Sequence, residues 1–237
     1  MSLARLFVER LPAAGESLRL SASEGAHARA RRLAEGDPVV LFDGSGREVL
    51  GRVERRSRSG VEVAAERDLE AVQAGAAISL YVAGVRAERL SWIAEKSTEL
   101  GAARLVLVRS ARTQAFRASA ALQGRLERVA RAAAKQCGAP RWPAIAGPLA
   151  FAEALAAEKA PHRFLLDPDG EPLPGAIAAS EAALAVGPEG GWTAAEKETA
   201  RRLGWSPSAI PAGRLRTDTA AVAGLTLMRA ALSRRER

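Results

Sequence analysis

Two glycine- and proline-bearing stretches hold the residues best suited to chemistry in this chain, Val186-Gly-Pro-Glu-Gly-Gly-Trp-Thr-Ala-Ala-Glu196 and Ile210-Pro-Ala-Gly-Arg-Leu-Arg-Thr-Asp-Thr-Ala-Ala221. Each follows a strand-like run and precedes a helix start, which is where ligands bind in open α/β sheets. In the first stretch, Gly187, Gly190 and Gly191 permit positive φ and lack the side chains that would hold a flat ligand off the backbone N–H and C=O groups. Glycine between strand and helix is also ordinary turn punctuation, so bareness alone leaves both readings open. Thr193-Ala-Ala-Glu196 has capping-box spacing, which would fix the helix behind the loop, and Thr217 is a candidate cap in the second stretch. Two such loops can close on one ligand from both sides.

The common nucleotide and hydrolase motifs do not account for these loops. The first lacks both the GK[ST] ending of a phosphate-cradling loop and the spacing of G-x-G-x-x-G, and Gly44-Ser45-Gly46 is not a G-x-S-x-G elbow. His27 and His162 support no catalytic triad and, with the single Cys137, supply no ligand cluster for zinc; both histidines read as bystanders and no metal is expected.

The elements that must position the loops follow from hydrophobic period and turn signals. Residues 1–70 read as a small β-rich unit, with strands at Ser17–Leu20, Pro38–Asp43, Arg47–Arg55 and Gly60–Glu66, a hairpin turn at Gly44–Gly46 and one short helix near Glu24–Leu33. The polar stretch Glu66–Gly75 marks a boundary, giving domains 1–70 and 71–237. Beyond it strand and helix alternate. Strands are expected at Ile78–Val82, Arg104–Val108, Arg163–Leu166, Ala182–Val186 and Ala209–Ile210, and helices at Arg86–Leu100, Ala120–Gln136, Thr193–Leu203 and Asp218–Arg234. Such alternation implies a parallel sheet covered on both faces.

With 237 residues, 48% of them apolar, the chain can bury one large core or two small ones. No apolar run reaches the roughly 18 residues of a membrane span and the start MSLARLFVERLP lacks a secretory segment, so the expected compartment is the cytoplasm. The net charge of +8 is localised: residues 71–150 hold 12 basic and 4 acidic side chains, whereas both flanking segments are balanced. A localised positive field draws in a polyanion, making RNA or DNA the first partner to consider, although a solvated basic face explains the charge equally well. The candidate phosphate contacts are Arg109, Arg112 and Arg117 in a loop and Arg125, Arg128 and Lys135 on a helix, with Arg131 along the same stripe. None of them is expected to touch the ligand of the glycine loops.

Taken together, IPAGRLRTDTAA with VGPEGG upstream, WIAEKSTELGA at Trp92–Ala102 and AAKQCG at Ala133–Gly138 resemble the RsmE family, the 16S ribosomal RNA uridine-N3 methyltransferases of the SPOUT superfamily. FDGSGRE at Phe42–Glu48 is similar to the family's FDG hairpin, so the likeness spans nearly the whole chain. The resemblance implies an N-terminal PUA-like, RNA-binding β-barrel and a C-terminal SPOUT-type α/β domain with a deep trefoil knot. It also implies a homodimer, and S-adenosylmethionine held among three loops. The cofactor positions it implies are Leu165, Leu166 and Asp167, then Gly187, Pro188, Glu189, Gly190 and Gly191, then Ile210, Gly213, Leu215, Arg216, Thr217 and Thr219. The implied substrate is N3 of one uridine in 16S ribosomal RNA, presented naked or in an assembled small subunit. Two positions depart from the family, which usually has glutamate at Asp218 and often has glutamate at Lys135.

For such a substrate the chemistry can be argued from uracil. N3–H is a weak acid and a poor nucleophile while protonated, so methylation needs the proton removed or the charge developing on O2 and O4 stabilised. Arg216 is suited to the second task, staying charged and offering planar donors, unless it only shapes the loop through Asp218 or Glu189. Glu189 and Asp218 are the candidate bases, and each could instead serve a helix N-terminus. Placement in line with an already activated methyl supplies much of the rate in any case. Glu95, Lys96 and Glu99 read as surface charge pairs, with a structural role near the cleft for the last two, and Trp192 is the one tryptophan placed to stack on a base. A protein that keeps the fold and binds RNA without catalysis is the alternative.

Overall fold

The structure, a computed structural model, describes residues 3–58, 60–70, 75–113 and 120–233. It divides into two compact units, Met1–Ala74 with Ala134–Arg141, and Gly75–Ala133 with Trp142–Arg237. Among the described residues no helix is long and apolar enough to cross a membrane.

The first unit is built from β1 (Ala4–Phe7), β2 (Ser17–Arg19), α1 (Ala22–Ala30), β3 (Pro38–Phe42), β4 (Glu48–Ser57) and β5 (Gly60–Asp68). Its sheet runs β1-β3-β4-β5-β2, with β1 parallel to β3 and the other pairs antiparallel. Inward residues alternate along the strands, so Leu6, Val39, Leu41, Val49, Val53, Val61 and Val63 form its core. The strand β1 is not among the expected elements, since ARLF offers only two inward positions. Ser21 caps α1 by accepting from the Glu24 N–H at 3.3 Å. The Glu24 carboxylate is itself buried, accepts from the Phe7 N–H at 3.2 Å and is ion-paired with Lys135.

The second unit holds β6 (Ala77–Ala83), α2 (Ala87–Glu99), β7 (Arg104–Arg109), α3 (Ala120–Cys137), β8 (Ala144–Ala150), α4 (Phe151–Ala157), β9 (His162–Pro172), β10 (Glu181–Val186), α5 (Ala194–Arg202), β11 (Ser206–Ala209) and α6 (Thr217–Ser233), although the last residues of α3 group with the first unit. The strands form one parallel sheet, β11-β9-β10-β6-β7-β8. Both faces are covered. Ile78, Leu80 and Val82 of β6 pack with Leu90 and Ile93 of α2, Leu126 of α3 and Leu225 of α6, whereas Tyr81 and Ala83 face Phe151 and Leu155 of α4 and Ala200 of α5. The expected parallel α/β sheet is therefore present, with β8 and α4 added to it. Gly147 and Pro148 interrupt β8 as a sequence signal, and a strand at the sheet edge tolerates the loss of the N–H donor that proline lacks.

One irregularity prepares the functional site. Phe164 and Leu165 of β9 pair with Ser206 and Pro207, but the next pairs are Glu171 with Ser208 and Pro172 with Ala209, so the ladder passes over residues 166–170. Where β9 rejoins the ladder the two backbones nearly touch, and a Cβ on Gly170 would lie 2.5 Å from the Pro207 carbonyl carbon and the Ser208 nitrogen. Gly170→Ala is therefore expected to cost more than about 2 kcal/mol, because backbone rather than a side-chain tip must yield. Urea denaturation measures this, and a midpoint equal to that of the wild type would contradict it.

Candidate cofactor and substrate site

Because all strands of this sheet are parallel, their carboxyl ends lie along one edge, and residues 166–169, passed over within β9, meet there the segments leaving β10 and β11. They enclose a cavity of about 480 Å³ lined by Leu166–Asp169, Val186–Trp192, residues from Ser208 to Ala220, and the side chains of Arg112 and Lys197. That volume suits a small molecule or cofactor.

Each wall is tied down by identifiable bonds. The buried Trp192 indole packs on Phe151, ring centroids 5.0 Å apart, and donates through Nε1 to the Leu166 carbonyl at 3.1 Å, joining the first and second segments. Thr217 Oγ1 donates to the Gly187 carbonyl at 2.8 Å, joining the second and third. The Thr193–Glu196 capping box is formed, and the second oxygen of Glu196 accepts from the Ala111 N–H at 2.8 Å. Lys197 pairs with the buried Asp167 at 2.5 Å and reaches Asp169 at 3.6 Å.

The glycines play different parts. Gly191 alone of the cleft glycines adopts left-handed backbone, at φ 69°, which corrects the expectation that positive φ is the shared reason for them. Gly187 is bare because a Cβ there would lie 3.1 Å from the Trp192 ring. At Gly213 an added Cβ meets nothing within 4 Å among the described residues, so their packing imposes no need for glycine.

Of the expected cofactor residues, the structure brings Leu166, Asp167, Gly187, Pro188, Glu189, Gly190, Gly191, Ile210, Gly213, Leu215 and Thr217 together around the cavity. Leu165, Arg216 and Thr219 are not among its lining residues. Side chains alternate along a strand, so Leu165 points into the opposite core beside Tyr81 and Trp205. Thr219 is exposed on α6, and the Arg216 side chain is 67% exposed, with Nη2 3.6 Å from Asp218 Oδ2. Arg89 of α2, which the sequence did not flag, pairs with Glu189, and its Nε lies 3.8 Å from the same oxygen of Asp218. Hydrogen bonding to Glu189 holds the Arg89 guanidinium above its ordinary pKa.

The basic residues divide. Arg109 at the end of β7 and Arg125 and Arg128 on α3 are exposed. Arg117 lies outside the described residues. Arg112 departs from expectation, since it lines the cavity and donates to the Gly190 carbonyl at 2.6 Å. Lys135 spends its charge on Glu24, a partner 111 residues away that no local spacing reveals.

A parallel α/β sheet with a three-segment cleft at its carboxyl edge, joined to a β-rich unit, defines an RNA methyltransferase with a PUA domain: the family described as RNA methyltransferase domain matches residues 73–229, and that described as RNA methyltransferase PUA domain matches residues 20–66. Ribosomal RNA small subunit methyltransferases E from Mycobacterium tuberculosis and Mycobacterium bovis are each 30% identical over 233 residues, covering 92% of this chain and 88% of theirs. The chain belongs to the ribosomal RNA small subunit methyltransferase E family. A Legionella pneumophila protein described as a methyltransferase and solved with bound SAM superposes with a TM-score of 0.86 at 25% identity over 98% of both chains. Ribosomal RNA small subunit methyltransferase E from Neisseria gonorrhoeae, solved bound to S-adenosyl methionine, shares the fold, with a TM-score of 0.88 at 23% identity over 96% of this chain and 97% of that one.

Proposed function

We propose that this protein transfers the methyl group of S-adenosylmethionine to N3 of one uridine in 16S ribosomal RNA. In this reading it acts in the cytoplasm as a homodimer, with residues 71–237 knotted around the cofactor loops and residues 1–70 holding RNA. The observation that carries the reading is the cleft itself, in which backbone of three segments is left open around a cofactor-sized space. Gly213 supports the fit most directly, because it is bare where none of the described residues would crowd a side chain. Leu166, Asp167, Gly187–Gly191, Ile210, Gly213 and Leu215 would hold the cofactor, which supplies an activated sulfonium methyl. Arg216, largely exposed between the lining residues Leu215 and Thr217, would meet a uracil oxygen and stabilise the negative charge that grows there.

The outer side of α6 supports the homodimer. Thr219, Thr226, Leu227 and Ala230 are exposed and uncharged, and the neighbouring α2 exposes Trp92, in a protein where 26% of residues are charged. Surface depleted of charge and bearing an aromatic is the kind that interfaces bury.

Labelled-methyl transfer to unmodified small subunits, to naked 16S RNA and to DNA tests the reading. Label entering RNA alone is expected. Calorimetric binding of S-adenosylmethionine without any transfer would instead identify a protein that has kept the fold and lost catalysis. For the RNA surface, Arg125→Ala with Arg128→Ala is expected to weaken RNA binding and lower the slope of log affinity against log salt by about one unit per lost phosphate contact, leaving cofactor affinity unchanged. Arg112→Ala is expected to weaken cofactor binding as well, because it releases the Gly190 carbonyl. An unaltered salt slope in the first variant would show that α3 is only solvated surface.

A further inference from the structure

Four charged side chains, of which Glu189 lines the cleft, form one connected series. Arg89 pairs with Glu189 of the glycine loop and approaches Asp218 Oδ2 at 3.8 Å, and Arg216 approaches that same oxygen at 3.6 Å. The inner members are the more enclosed, with side-chain exposures of 27% for Arg89 and 13% for Asp218 against 57% for Glu189 and 67% for Arg216. Asp218 also accepts from the Thr219 N–H at 3.0 Å in the first turn of α6, which fixes its side chain at the helix start. Arg89 lies in the first turn of α2, where a helix dipole disfavours a cation, so local helix physics does not account for it and the ion pairs do.

We propose that Arg89 is a positioning residue for the methyl transfer, holding Asp218 and Glu189 in place so that Asp218 presents Arg216 to the substrate and neither carboxylate, each turned toward a guanidinium, acts as the base. The proposal rests on the role assigned to Arg216 above. Both guanidinium groups approach the same oxygen of Asp218, so its side chain is held between them rather than free to turn to a substrate. Arg216 directs one nitrogen toward Asp218, and a guanidinium has five N–H donors, so others are available to a uracil oxygen. In the step itself the methyl carbon leaves sulfur as it bonds to N3, the sulfonium becomes a neutral thioether, and the N3 proton passes to water.

The test compares Arg89→Met, Arg89→Lys, Asp218→Asn and the Arg89→Met/Asp218→Asn double variant by kcat, cofactor affinity and pH profile, each checked by thermal melting. Misplacement by an ångström costs about 100-fold, so Arg89→Met is expected to lose about that much in kcat with cofactor affinity within about threefold. Arg89→Lys should recover part of the loss. Asp218→Asn, nearly isosteric and the safer variant for folding, should lower kcat comparably while the rise of rate with pH keeps its shape. The double variant should resemble the worse single one, because both act through Arg216. Wild-type kcat in Arg89→Met, additive losses in the double variant, or a pH dependence abolished by Asp218→Asn would each overturn the proposal while methyl transfer by the wild type stood. A wild type that transfers no methyl would overturn the methyltransferase reading as well.

Discussion

Gly213→Val is expected to raise the dissociation constant for S-adenosylmethionine more than about 100-fold, a loss of roughly 2.7 kcal/mol, with the melting temperature essentially unchanged. The two halves of this result have separate causes. Gly213 is exposed, has ordinary rather than left-handed φ, and faces open space where a Cβ would go, so valine asks nothing of the fold. In the cleft, however, the branched side chain fills volume assigned to the ligand. Gly191→Val makes a useful contrast, because at φ 69° it strains the loop whether or not a ligand is present. Calorimetry and melting curves on the two variants separate steric exclusion from backbone strain. Unchanged affinity in a folded Gly213→Val would remove the third segment from the cofactor site.

Arg216→Lys is expected to lower kcat by about 100- to 1000-fold, the range seen when one preorganised donor to a developing anion is lost, while cofactor affinity stays within about threefold. The split is expected because Arg216 is not among the residues lining the cavity and stands largely exposed beside Asp218. An ammonium keeps the charge but loses the planar fork that can face Asp218 and a uracil oxygen together. Stopped single-turnover methylation with saturating cofactor measures the effect free of binding. Equal losses in rate and cofactor affinity would make Arg216 a cofactor ligand instead.

Local sequence carried much of this site. The glycine loop, the second loop and the Thr193–Glu196 box announce themselves through residues a few positions apart, and strand-helix alternation gives the parallel sheet that aligns them. What local sequence did not carry depends on distant partners. The expected strand ends at Leu166, and only the β11 ladder shows that β9 resumes at Glu171 after residues 166–170 are passed over, with Leu166–Asp169 forming a wall of the cleft. The resemblance supplied Leu165, Leu166 and Asp167, yet strand alternation turns Leu165 away from the cavity. Arg89 meets a carboxylate 100 residues on, and Arg112 a carbonyl 78 residues on, so a count of basic residues placed Arg112 on the RNA surface alone. Charge counting likewise credited Lys135 to RNA, whereas Glu24 already neutralises it.

The central claim, methylation at N3 of a uridine, is tested most directly by identifying the product nucleoside. Small subunits from cells lacking the modification are incubated with the protein and methyl-labelled S-adenosylmethionine, the 16S RNA is digested to nucleosides, and the label is assigned by chromatography and mass spectrometry. All label is expected in 3-methyluridine from a single site, and none in the Arg216→Lys control within the same time. Label in 5-methyluridine, in a methylated ribose or in another base would contradict the account.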